Sequence, residues 1–125
     1  MTLFALDHAN VRTANLEAMM AWYDDVLGMK SGRRPDFGFP GAWLYVGENA
    51  AVHLVAVKDQ PASVDPQIEH YAFRATGMDG FLEHLKSKGV EYYLAEVPGF
   101  GITQVNIKDP DGNHIHVDFE TAEAG

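Results

Sequence analysis

Apolar and polar positions run through one cycle along this chain and then run through it again. Leu6–Arg12 mixes apolar and polar residues in a way that suits a strand. Leu16, Met19, Met20, Tyr23, Val26 and Leu27 then recur at the three- and four-residue intervals of one helix face. Asn15 is placed to cap that helix, because its side chain can accept from a first-turn amide. Gly28 is placed to end it in the left-handed conformation. Strands are expected next at Lys30–Arg34, Ala42–Val46 and Ala51–Val57, with Gly38, Pro40, Gly41, Gly47 and Asn49 as turn residues between them.

The segment 58–67 holds Pro61, Pro66, Ser63 and two aspartates without periodicity, and reads as a connection. The second half repeats the order. Ile68–Arg74 is a strand, Met78, Phe81, Leu82 and Leu85 form a helical stripe closed by Gly89, and Val90–Glu96, Ile102–Ile107 and Asn113–Phe119 are strands. Asp109-Pro110-Asp111-Gly112 is a tight turn, with proline fixing one dihedral and glycine supplying a positive φ. The tail after Glu120 is expected to fray. The organisation is βαβββ written twice, one α+β domain over residues 1–125 with modules at about 1–57 and 68–120.

The repeat also duplicates chemistry. Asp7-His8-Ala9-Asn10-Val11-Arg12 lies over Glu69-His70-Tyr71-Ala72-Phe73-Arg74, matching an acid, a histidine and an arginine. His8 and His53 are 53 − 8 = 45 positions apart, and His70 and His116 are 116 − 70 = 46 apart. Side chains on a strand alternate faces. His8 therefore lies opposite Ala9 and Val11, His53 opposite Val52 and Leu54, His70 opposite Tyr71 and Phe73, and His116 opposite Ile115 and Val117. Each histidine stands on the face away from its helix. A lone histidine is most often a hydrogen-bonded or solvent-facing residue. Four at equivalent places in two repeats point to a metal site made of His8, His53, His70 and His116.

Imidazole brings no charge, so such a site leaves the ion's full +2 available to polarise an oxygen ligand. Nitrogen donors suit zinc, nickel, copper or iron(II), and argue against magnesium and calcium. By the same alternation Leu44 and Val46 pack on the helix, leaving Trp43 and Tyr45 towards a cavity. Val105 and Ile107 likewise leave Gln104 and Asn106 there, and His114 shares the face of His116. Trp43, Tyr45, Gln104, Asn106 and His114 are the expected substrate contacts, for a small, partly planar, oxygen-bearing molecule. Trp43 and Tyr45 also suit a dimer interface. His84, in the second helix, reads as surface.

Composition narrows the partners. The formal charge of −9 disfavours nucleic acid and anionic lipid. No apolar run approaches the roughly 20 residues of a membrane span. Met1 to Ala5 carries no charged n-region, so no signal peptide is expected. The absence of cysteine excludes disulfides and thiolate ligands, and suits the cytoplasm.

Four stretches carry a family resemblance: Leu6-Asp7-His8, Trp22-Tyr23-Asp24-Asp25-Val26-Leu27-Gly28, Glu69-His70-Tyr71-Ala72-Phe73-Arg74, and Asp109-Pro110-Asp111-Gly112-Asn113-His114-Ile115-His116-Val117. Together they resemble the vicinal oxygen chelate superfamily of glyoxalase I, extradiol dioxygenases and bleomycin- and fosfomycin-resistance proteins. The resemblance implies paired βαβββ modules in an open, cup-shaped eight-stranded barrel around a divalent metal. It implies ligands at His8, His70 and His116, with His53 as a fourth, and a homodimer. It implies a lyase, isomerase or dioxygenase reaction on a small molecule. The departure lies at His116, where metal-binding relatives carry glutamate, and at His53, where glyoxalase I also carries one. The usual carboxylate base of glyoxalase I is therefore missing. Relatives that sequester a drug without metal are the alternative, and they generally lack the ligand histidines.

Overall fold

The computed structural model describes residues 1–124. The chain falls into two compact units, Met1–Ser63 and a second beginning at Val64. The first contains β1 (Ala9–Thr13), α1 (Leu16–Leu27), β2 (Gly41–Val46) and β3 (Asn49–Ala56). The second contains β4 (His70–Arg74), α2 (Met78–Ser87), β5 (Tyr93–Val97), β6 (Ile102–Lys108) and β7 (His114–Glu120).

Both units are wired alike. In the first, β1 runs parallel to β3, and β3 pairs antiparallel with β2. In the second, β4 runs parallel to β7, followed by antiparallel β6 and β5. The registers of the two units correspond. Asn10 sits opposite His53, and Ala72 sits opposite His116. The offsets are 72 − 10 = 62 and 116 − 53 = 63, so the duplicated histidines occupy one structural position in two copies of the motif.

Each sheet has one apolar face and one polar face. In the first unit Met19, Tyr23 and Val26 of α1 are buried, as are Ala42, Leu44, Val52 and Leu54 of the sheet. In the second, Met78 and Leu85 of α2 are buried together with Val105, Ile107, Ile115, Val117 and Phe119. Phe81 meets Phe119, ring centroids 5.9 Å apart. These are the positions at which the alternation places helix-packing residues.

Several expectations need correction. The strand expected at Lys30–Arg34 is reduced to a single bridge, Ser31 opposite Leu44, so the described residues form seven strands. Two flanking bonds remain, Gly32 N–H to the Trp43 carbonyl and Tyr45 N–H to the Lys30 carbonyl, each 3.0 Å. The ladder stops because β2 shifts register between Leu44 and Tyr45, and because the Tyr45 ring lies against Gly32, where a Cβ would come within 2.8 Å of it. Val46 is 49% exposed at the hairpin end of β2 and does not pack on the helix. Asn15 makes no side-chain capping bond; its N–H donates to the Thr13 hydroxyl and its carbonyl accepts from Met19. The tail does not fray at once, since Thr121–Ala124 forms a 3₁₀ turn and Thr121 N–H donates to the Gly101 carbonyl at 2.8 Å. Gly28 ends α1 at φ 69°, as its position predicts.

Candidate metal centre

The second unit gathers the larger set of ligating groups. Its framework is the turn before β7. The Asp109 carboxylate accepts from the backbone N–H of Asp111 (3.0 Å) and of Asn113 (2.9 Å), and from the Asn113 side-chain amide (2.9 Å). Gly112 takes φ 85° and donates back to the Asp109 carbonyl. An aspartate folded onto its own downstream amides is a strong turn former. It delivers the chain into β7 with His114 and His116 on the polar face.

Parallel pairing then sets His70 opposite His114. The His70 ring lies 4.4 Å from that of His116 and 5.2 Å from that of His114, centroid to centroid. Glu69 reaches both neighbours, one carboxylate oxygen at the Nδ1 of His70 and the other 2.8 Å from the Nδ1 of His114. Glu69, His70 and His114 offer ligand atoms that all lie within 4.8 Å of one another. His116 is buried, and its Nδ1 stands 2.5 Å from Asp118 Oδ1. Asn106, also buried, faces His116 in register and places its Oδ1 2.7 Å from His114 Nε2. Gln104 lies opposite Asp118 and therefore on the same face.

The first unit holds the other pair. His8 immediately precedes β1, and its segment is tied down by the Asn49 side-chain amide donating to the Asp7 carbonyl at 3.1 Å. The His8 and His53 rings stack 3.8 Å apart with planes 7° from parallel. Trp43 covers the other side of His53 at 4.1 Å. The Nδ1 of His8 lies 2.6 Å from Asp7 Oδ2. His53 differs from the others, because its Nε2–H donates to the Ala50 carbonyl at 3.0 Å. Its lone pair is therefore on Nδ1. Imidazole lone pairs lie in the ring plane, so two stacked rings direct them side by side and not towards one point. As they stand, His8 and His53 do not chelate one ion together; a turn of one ring is required.

Trp43 and Tyr45 line a pocket of about 540 Å³ in this unit, with Asp7, His8, His53 and Phe37 also in its wall. The Tyr45 hydroxyl donates to the Arg33 carbonyl at 2.5 Å. Both aromatic residues thus stand beside the imidazoles, where alternation puts them. Phe37 was not foreseen, because it comes from a glycine- and proline-rich loop without periodicity.

Electrostatics follow from these neighbours. Burial lowers the His53 pKa, and the proximity of His8 lowers it further. The hydrogen bond from His70, then that from His114, holds the Glu69 carboxyl below its usual range. The sequence alone gives the carboxylate partners Asp7, Glu69 and Asp118 no role. Their signal was present in the repeated acid–histidine dipeptide and in the two-residue spacing of His116 and Asp118. The carboxylate contacts of His8, His70 and His116 are all made at Nδ1. In the second unit, imidazoles backed by acids in this way are donors that fit a divalent transition metal.

Comparison with known proteins gives a consistent result. The sequence model of the Glyoxalase/Bleomycin resistance protein/Dioxygenase superfamily matches residues 5–117. The Arabidopsis thaliana protein named Glyoxylase I 4 is 29% identical over 123 residues, covering 92% of this chain and 70% of its own length. Among solved structures, a glyoxylase/bleomycin resistance protein/dioxygenase domain from Frankia superposes with a TM-score of 0.76 at 18% identity, covering 95% of this chain and 93% of that one. Lactoylglutathione lyase from Agrobacterium tumefaciens gives a TM-score of 0.70 at 19% identity, over 94% and 95% of the two chains.

Proposed function

Since the chain belongs to the glyoxalase/bleomycin resistance protein/dioxygenase superfamily, we propose that it is a divalent-metal-dependent enzyme acting on a small oxygen-bearing molecule. The reaction is of lyase, isomerase or dioxygenase type. The observation that carries this reading is the cluster of His70, His114 and His116 on one sheet face, held by Glu69 and Asp118. The proposed ligands are the imidazoles that the repeat duplicates: His8, His70 and His116, with His53 joining through Nδ1 once its ring turns. A zinc, nickel or iron ion so held would supply a Lewis acid of undiminished charge.

The protein's own groups are proposed to orient the substrate. Asn106 and Gln104 present amides beside the second imidazole cluster, and Trp43 and Tyr45 present aromatic walls beside the first. His114 is proposed to hydrogen-bond substrate. No glutamate stands at the positions of His53 and His116, so a proton-abstracting step would need another base. The usual agent of proton abstraction in glyoxalase I is therefore absent at those two positions. A homodimer in the cytoplasm completes the reading. Leu6 and Ile68, at equivalent places in the repeat, are 91% and 83% exposed, which supports a partner chain.

A second reading is favoured by the pocket in the first unit, whose aromatic wall of Phe37, Trp43 and Tyr45 suits sequestration of a planar molecule without metal. One experiment separates the two. Protein depleted of metal is assayed against hemithioacetals, epoxides and catechols before and after addition of zinc, nickel or iron(II). The enzyme reading expects turnover that appears with metal and disappears with chelator. Tight binding of a planar ligand, unaffected by chelator and without turnover, would establish the sequestering protein instead.

A further inference from the structure

Four of the five imidazoles in these clusters have a carboxylate at Nδ1. Asp7 stands behind His8, Glu69 behind both His70 and His114, and Asp118 behind His116. An ionised carboxylate only accepts hydrogen bonds, and a neutral imidazole has one N–H and one lone pair. The N–H of His8, His70 and His116 is therefore drawn to Nδ1, which leaves the lone pair on Nε2. The arrangement recurs in both copies of the motif: Asp7 and Glu69 each precede the histidine they hold, at equivalent places. Asp118 reaches the same result by a different route, from two positions along the same strand face.

We propose that Asp7, Glu69 and Asp118 are positioning residues that fix the Nδ1–H tautomer of His8, His70 and His116 and so make Nε2 the metal-binding atom of each ring. This rests on the metal-dependent reading above. Hydrogen-bonded carboxylates behind ligating histidines orient the ring and raise its basicity, and losing one costs about 10–100-fold in metal affinity. Glu69 serves two rings at once, so its loss frees His114 as well as His70. His53 is the built-in contrast. It is held at Nε2 by the Ala50 carbonyl and so carries the opposite tautomer.

The test is long-range ¹H–¹⁵N NMR of the metal-free, full-length protein at a pH where the rings are neutral. The expected spectrum shows protonation at Nδ1 for His8, His70 and His116, and at Nε2 for His53. Asp7→Ala and Glu69→Ala, both at exposed positions, should move His8 and His70 towards the Nε2–H form that predominates in water. The same variants should bind cobalt(II) about 10–100-fold more weakly, with Glu69→Asp restoring part of the loss. A wild-type spectrum with His8, His70 and His116 protonated at Nε2 would overturn the proposal without any variant. Unchanged cobalt affinity in both alanine variants would overturn the metal-positioning role. Failure of the wild-type protein to bind cobalt would instead remove the metal reading, while the tautomers would still be decided by the spectrum.

Discussion

At the residue scale, the candidate ligands were legible because one histidine and one acid recur in register, and the strand period alone set their faces. What the sequence did not disclose was the state of each ring. His53 and His116 occupy one position in two repeats, yet His53 is stacked between His8 and Trp43 while His116 is clasped by Asp118. That difference has two sources: Val55 stands two residues after His53 where Asp118 stands two after His116, which the sequence shows, and Trp43 faces His53 across the strands where Asn106 faces His116, which no linear pattern pairs. It has a measurable consequence. Burial favours neutral His53, so the folded state binds a proton there less readily than the unfolded chain. Its contribution to stability is fully present above the unfolded value of about 6.5 and declines as pH falls below it. Wild-type protein should therefore lose stability below that pH more steeply than His53→Gln, as thermal melts across the range would show. Parallel loss in both proteins would contradict the assignment. Glycines test the backbone in the same manner. A Cβ at Gly41 would come within 2.3 Å of the Leu54 carbonyl oxygen, whereas at Gly80, inside α2, it would meet nothing within 4 Å. Gly41→Ala should destabilise by about 1–3 kcal/mol through overpacking. Gly80→Ala should stabilise by about 0.5–1 kcal/mol, so denaturant midpoints of the two variants should move in opposite directions.

At the element scale, both helices and seven of the eight expected strands lie where apolar periodicity put them, with ends displaced by up to three residues. His8 shows what such a displacement means: expected within the first strand, it falls just before β1 and depends on the Asn49 bond to hold its segment. The strand expected at Lys30–Arg34 is absent where Gly32 admits the Tyr45 ring. Proline and glycine make the Asp109–Gly112 turn legible in the sequence, whereas its anchoring of β7 follows only from the Asp109 bonds. Asp109→Ala would strip the acceptor from two backbone amides and the Asn113 side chain, and should cost about 1–3 kcal/mol. It should also weaken metal binding, because His114 and His116 begin two and four residues after Gly112. Leu85→Ala, at a fully buried position of α2, should cost about 2–5 kcal/mol yet leave metal affinity in the folded protein unchanged. Chemical denaturation combined with cobalt titration separates these two outcomes; a Leu85→Ala protein that folds but no longer binds metal would contradict the division of the sheet into a packing face and a chemical face.

At the scale of the whole molecule, duplication is the organising fact. Two units share one wiring, and each brings two imidazoles together, His8 with His53 and His70 with His116. No helix among the described residues is long and apolar enough to cross a membrane. The exposed apolar positions at Leu6 and Ile68 lead us to expect a homodimer, which light scattering after size exclusion would register as twice the 13.8 kDa chain mass. The central claim is that this chain binds a transition metal through its duplicated histidines, and it is tested most directly by metal content. Protein prepared without a polyhistidine tag is analysed for zinc, nickel and iron by elemental mass spectrometry, beside the His70→Ala/His116→Ala double variant. The account predicts about one ion per wild-type chain and almost none in the variant. A wild-type protein that carries no transition metal and takes up none on titration, or a double variant that retains its full complement, would contradict it.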